Sequence, residues 1–161
     1  EIIQYLLKTR GSPISWNSIS KNTSINTPNT IISYIDIMKN MYLIHPLYLL
    51  NAQNSIEFRK NKKVHITDPF LIRLFSDYTG VKVLDENIVE SVVASHFARK
   101  YPTYYWKNGT EVDVIAIIEG TTMGFEVKYG IKNPKKALHL KKQYLLDENS
   151  IPLFLATTRW A

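Results

Sequence analysis

The 161-residue chain contains no cysteine, which excludes disulfides and thiolate metal sites and fits a cytosolic protein. No apolar run approaches the ~20 residues of a membrane-crossing helix. The best candidate, "MYLIHPLYLL", is broken by His45 and Pro46, so no membrane partner is expected. No cleavable leader pattern, low-complexity tract or repeat is visible. Gly-x4-Gly-Lys-Ser/Thr is missing too, so the chain carries no phosphate-binding loop. What is there is an ordinary globular composition, 45% hydrophobic, long enough for one medium domain or two small ones.

Twenty Lys and Arg stand against fourteen Asp and Glu, a net charge of +6 and a pI near 9.4. Residues 1–78 hold nine basic and five acidic residues (+4), and the rest hold eleven and nine (+2). A basic balance favours a polyanionic partner such as DNA, although solubility alone accounts for a charge of this size. Glu1 already lies in a helix-like segment with no initiator methionine before it. The chain is therefore expected to be a piece of a longer protein.

The first half patterns as three helices and a hairpin. "EIIQYLLKTRG" places Ile2, Ile3, Leu6 and Leu7 on one helical stripe and ends at Gly11. "SWNSISKNT" forms a short second helix capped by Ser15. "NTPNTIISYIDIMKNMYLI" forms the third, with Thr27 as N-cap, Pro28 at the first position and a stripe through Ile31, Ile35, Met38 and Met41. "LIHPLYLL" and "SIEFRKNKKVHIT" read as strands around the turn "NAQNS". This order resembles a winged helix-turn-helix, whose third helix enters a DNA groove while the hairpin touches backbone. The resemblance nominates Asn26, Asn29 and Thr30 as contacts to phosphates or base edges, and Arg59, Lys60, Lys62 and Lys63 as phosphate contacts from the wing.

From Val81 the pattern changes. "DENIVESVVASHFARKY" is helical and carries Glu90. "TYYWK", "EVDVIAIIEG" and "MGFEVKYG" read as strands. "NPKKALHLKKQYLL" reads as a basic helix and "IPLFLATT" as a final buried strand. Tyr101, Tyr104, Tyr105 and Trp106 are expected to pack within the sheet, although aromatics can also stack bases. His96 and His139 have no ligand-spaced partner and read as structural. Lys132, Lys135, Lys136, Lys141 and Lys142 offer a cationic face for a phosphate backbone.

Alternation along the strands separates Asp113 from Val112 and Val114, and Glu126 and Lys128 from Phe125 and Val127. An even-numbered loop between these strands places Asp113 opposite Glu126 or Lys128. A one-residue slip would part them unless a bulge restored the phase. Two carboxylates on one face call for a cation, and a divalent metal such as Mg2+ or Mn2+ suits them. A metal-bound water near Lys128 is machinery for phosphodiester hydrolysis. The plain alternative is an exposed cross-strand ion pair worth about 0.2–1 kcal/mol, and Glu111 on the face of Asp113 fits that reading.

Asp113, followed after twelve residues by Glu126-Val127-Lys128, resembles the core motif of the PD-(D/E)xK nuclease superfamily, with its α-β-β-β-α-β order. More narrowly, "KKVHITDPFL", "YYWKNGTEVDVI" and "GFEVKYG" resemble the C-terminal half of the archaeal-type ATPases. The resemblance implies metal binding by Asp113, Glu126 and Glu90 with the Val127 carbonyl, water positioning by Lys128, and site-facing roles for Gln143 and Tyr144 on the later helix. It implies DNA and an upstream ATPase domain as partners, with ATP bound only through that domain. Val112 stands where the motif often has proline. The expected fold is α+β or α/β, with a winged helix over residues 1–78 and a PD-(D/E)xK-like domain over 79–161. Two functions stay open, a metal-dependent deoxyribonuclease module or a non-catalytic module coupling the ATPase to DNA or a protein. Self-association is equally open.

Overall fold

The computed structural model describes residues 1–129, 140 and 142–157. Among them six helices and seven strands form a mixed α/β arrangement around one open sheet. Helices α1 (Ile2–Thr9), α2 (Trp16–Lys21) and α3 (Pro28–Asn40) come first, followed by β1 (Ile44–Leu50), β2 (Ile56–Glu57) and β3 (Lys63–Ile66). Local chemistry sets these boundaries. Ser15 and Ser18 form a reciprocal capping box on α2. Thr27 accepts the Thr30 N–H with Pro28 next in line. The segment expected as one long second strand is split into β2 and β3, both antiparallel to β1.

Helix α4 (Pro69–Thr79) follows, opened by Asp68, whose side chain accepts the Phe70 N–H, and closed by the left-handed Gly80. Next come α5 (Asp85–Ala98), β4 (Thr103–Asn108), β5 (Thr110–Ile118), β6 (Thr121–Val127), β7 (Lys142–Leu146) and α6 (Ser150–Ala156). The sheet order is β2-β1-β4-β5-β6-β7, with β3 also on β1. Strand β1 runs parallel to β4, so one sheet crosses residue 78. Two cores flank that crossing. Ile2, Leu6, Ile31, Ile35, Val64 and Ile66 pack in one, and Leu47 of β1 joins Phe97, Val114, Phe125 and Phe154 in the other.

Two expectations for the C-terminal end are corrected. Residues 142–146, expected to be helical, form β7, parallel to β6. Tyr144 stacks on Phe125 with centroids 5.4 Å apart, and this packing outweighs the helical pattern of the lysine-rich run before it. Most of that run, including Lys132, Lys135, Lys136, His139 and Lys141, lies outside the described residues. "IPLFLATT" is not a strand. Residues 150–156 form α6, whose buried Ile151 and Phe154 are spaced i, i+3. Pro152 is tolerated because it falls in the first turn, where its missing N–H costs no helical bond.

Gly124 of β6 lies against Leu140 and Val112. A Cβ there would stand 2.5 Å from Leu140 Cδ1 and 3.2 Å from Val112 Cγ1. Gly124→Val is expected to lose about 1–3 kcal/mol of stability by overpacking. Chemical denaturation checks this, and an unchanged midpoint would show that the strand yields freely.

Candidate functional site: a buried acid and lysine cluster

The hairpin of β5 and β6 closes through two residues, Glu119 and Gly120, with φ of 49° and 73°, a primed turn matched to strand twist. The pairing Val114↔Phe125, carried one step on, sets Asp113 opposite Glu126 as an even loop requires. A second device acts on the other side. The β4–β5 register shifts between Tyr104↔Ile115 and Trp106↔Val112. Two residues, Asp113 and Val114, therefore oppose the single Tyr105. Such a bulge bends the strand and re-aims its side chains. Asp113 Oδ2 accepts the backbone N–H of Val127 at 2.9 Å, and Lys128 N–H continues to Leu146 O at 2.9 Å.

Both acids are buried rather than solvent-facing, Asp113 at 9% exposure and Glu126 at 3%. Lys128 Nζ lies 3.0 Å from Glu126 Oε1 and 3.9 Å from Asp113 Oδ2. The three motif residues are thus brought together. Glu90 joins them from α5, which is buried on several sides because it packs against both cores.

The centre of the cluster is Lys63. Its side chain is 2% exposed, and Nζ lies 2.8 Å from Glu90 Oε1, 2.7 Å from Glu111 Oε1 and 3.2 Å from Asp113 Oδ1. Strand alternation explains its approach. Val64 and Ile66 enter the N-terminal core, while Lys63 and His65 turn to the opposite face and meet Glu90 and Ser91 of α5. Burial alone would lower the Lys63 pKa, but Glu90, Asp113 and Glu111 together hold it above the ordinary lysine range. Burial raises Glu90, helped by Asp113 and Glu111 and opposed by Lys63. Glu111 is held below its ordinary value: burial would raise it, but Lys63 and then Lys107, 2.9 Å from Oε2, prevail.

The cationic run therefore divides. Arg59 and Lys60 are exposed. Lys62 is 5% exposed, its ammonium 5.1 Å above the Trp16 ring and 5.9 Å above that of Tyr48. Neither Lys62 nor Lys63 is presented to a phosphate backbone, a correction to the expected wing contacts that follows from this burial. Asn26, Asn29 and Thr30 are exposed, although the Thr30 hydroxyl lies 2.7 Å from that of the capping Thr27. Gln143 and Tyr144 sit on β7, with Tyr144 packed on Phe125 rather than turned to the acids. Lys135 and Lys136 fall outside the described residues.

As arranged, these groups do not fit a divalent cation. Asp113 has Lys63 on one oxygen and the Val127 N–H on the other, and Glu90, Glu111 and Glu126 each already face an ammonium. Among the described residues, no three Asp, Glu or His side chains converge as metal ligands. The cation that two facing carboxylates call for is supplied by the chain itself.

Residues 85–155, which include α5, Asp113, Glu126 and Lys128, match the family described as a domain of unknown function (DUF4143), a domain found at the C-termini of ATPase-associated proteins. No curated protein and no solved structure matches the chain. No described helix is long and apolar enough to cross a membrane.

Proposed function

We propose that the chain is a winged helix and a PD-(D/E)xK-type domain from the C-terminal side of an ATPase, and that it contacts DNA without cutting it. The observation that carries this reading is Lys63, seated within 3.2 Å of Glu90, Glu111 and Asp113. An ammonium in that position neutralises the acids and fixes β3 against α5 and β5, so the nuclease outline acts as a structural hub. Arg59 and Lys60, exposed just before β3, are the phosphate contacts, and coupling an ATPase to DNA is the role.

A second reading keeps the hydrolytic activity. It is favoured by Lys128, which reaches both motif acids at 3.0 and 3.9 Å, where it could orient a water. Incubation with single-stranded, duplex and branched DNA in manganese separates the two. No cleavage is expected. Cleavage that disappears in Glu126→Ala and Lys128→Ala would overturn the first reading and establish the second.

The DNA contact has its own test. Replacing Arg59 and Lys60 with alanine is expected to reduce the slope of log affinity against log salt by about 2, roughly 0.9 per phosphate contact. An unchanged slope removes the wing from the interface.

A further inference from the structure

A cavity of about 390 Å³ opens between the end of α3, the start of β1 and the end of α5, away from the acid cluster. Lys39 and Arg99 line it, and among the described residues no carboxylate does. Among the described residues neither cation pairs with an acid. The Ser95 hydroxyl also lines it. That residue is 3% exposed and its oxygen has no hydrogen-bond partner among the described residues, an arrangement that costs stability unless a ligand or water completes it. Thr67 and His45 add polar groups, the His45 ring being 3.1 Å from the Thr103 hydroxyl.

The rim carries a strained residue. Tyr42 has φ of 58°, a left-handed conformation costly for a side chain of this size. It is held there by its N–H to Lys39 O at 2.9 Å and by the Thr67 hydroxyl donating to its carbonyl. The ring is 83% exposed at the mouth. Backbone strain, two unpaired cations and an unpartnered buried hydroxyl thus meet at one cavity of small-ligand size.

We propose that this cavity binds a phosphomonoester on a body of nucleotide size. Arg99 and Lys39 take the phosphate, Ser95 donates from the floor, and Tyr42 covers the attached ring. Two sources share that chemistry, a free mononucleotide and the 5′-phosphate end of a DNA strand. The site is independent of the acid cluster and stands or falls separately from it.

Calorimetric titration of the 161-residue chain tests this, with AMP, adenosine, and a short single strand carrying either a 5′-phosphate or a 5′-hydroxyl. AMP or the phosphorylated strand is expected to bind at least tenfold more tightly than its unphosphorylated counterpart. Lys39→Ala and Arg99→Ala should each weaken that binding about tenfold, a charge-assisted contact being lost in each. Both side chains are solvent-facing and unpaired among the described residues, so the variants keep the fold, and a melting curve verifies this. Preference for AMP identifies the free nucleotide as the source, and preference for the strand identifies the DNA end. Binding by neither, equal binding of adenosine and AMP, or binding untouched in both variants would overturn the site.

Discussion

The Lys63→Met variant is expected to lose about 3–5 kcal/mol of unfolding free energy, the cost of removing one partner from a buried ion cluster. Methionine fills much of the lysine's volume, so the loss is electrostatic. Glu90, Glu111 and Asp113 would face one another across a space that now holds no cation. A typical domain has only about 5–15 kcal/mol to lose, so a loss of this size takes much of the single variant's stability. A second variant keeps the idea testable: Glu90→Gln and Glu111→Gln added to Lys63→Met should recover most of the loss, since amides need no counter-charge. Urea denaturation at neutral pH measures both. A loss below about 1 kcal/mol in the single variant would mean that water already screens the cluster, as at exposed ion pairs. The pH dependence follows by linkage. The folded-state pKa of Lys63 is raised above 10.5, so its contribution is complete below that value and is lost only as pH rises through the folded pKa.

The parts of the fold that rest on local chemistry were legible. Thr27-Pro28 announced α3 and Ser15 announced α2, because a cap is settled within a few residues. Helix α4 obeys the same rules, with Asp68-Pro69 at its start and Gly80 at its end, yet it stands outside the elements expected from the sequence. Residues 142–156 were harder to read. A lysine-rich approach suggested helix, whereas parallel pairing with β6 makes 142–146 a strand, and a seven-residue run of mostly apolar character does not declare its period.

The candidate site divides along the same line. Asp113, Glu126 and Lys128 were found from spacing on one hairpin, a short-range relation. From sequence alone Lys63 reads as a surface charge, because its partners lie 27, 48 and 50 residues away, at Glu90, Glu111 and Asp113. One local signal pointed inward. In "KVHI" the lysine alternates with Val64 and shares a face with His65, within a strand buried at every position. The bulge at Asp113 left no mark in the sequence, since it arises from pairing with β4.

His65 makes the same buried face sensitive to acid. Burial first, then Lys63 and His45, push its pKa down from 6.5 to about 3. Its Nδ1 is 3.1 Å from the Ser91 hydroxyl, and its Nε2 has no hydrogen-bond partner among the described residues and lies 4.0 Å from Glu90. A proton here favours the unfolded chain, because the folded-state pKa lies below the unfolded one. Stability present above pH 6.5 is therefore lost as pH falls towards 3, at up to about 1.4 kcal/mol per unit. Glu90 acts in the opposite sense, its raised pKa letting the folded state take up a proton more readily above 4.5. His45, lowered by burial and by Lys39, adds to the loss. Between pH 6.5 and about 5 the His65 contribution alone should be roughly 2 kcal/mol. Urea denaturation across that range is expected to show the decline in the wild type and a flatter profile in His65→Leu. Parallel profiles for the two proteins would mean that His65 takes its proton without unfolding, and that the face between β3 and α5 admits charge more readily than its burial implies.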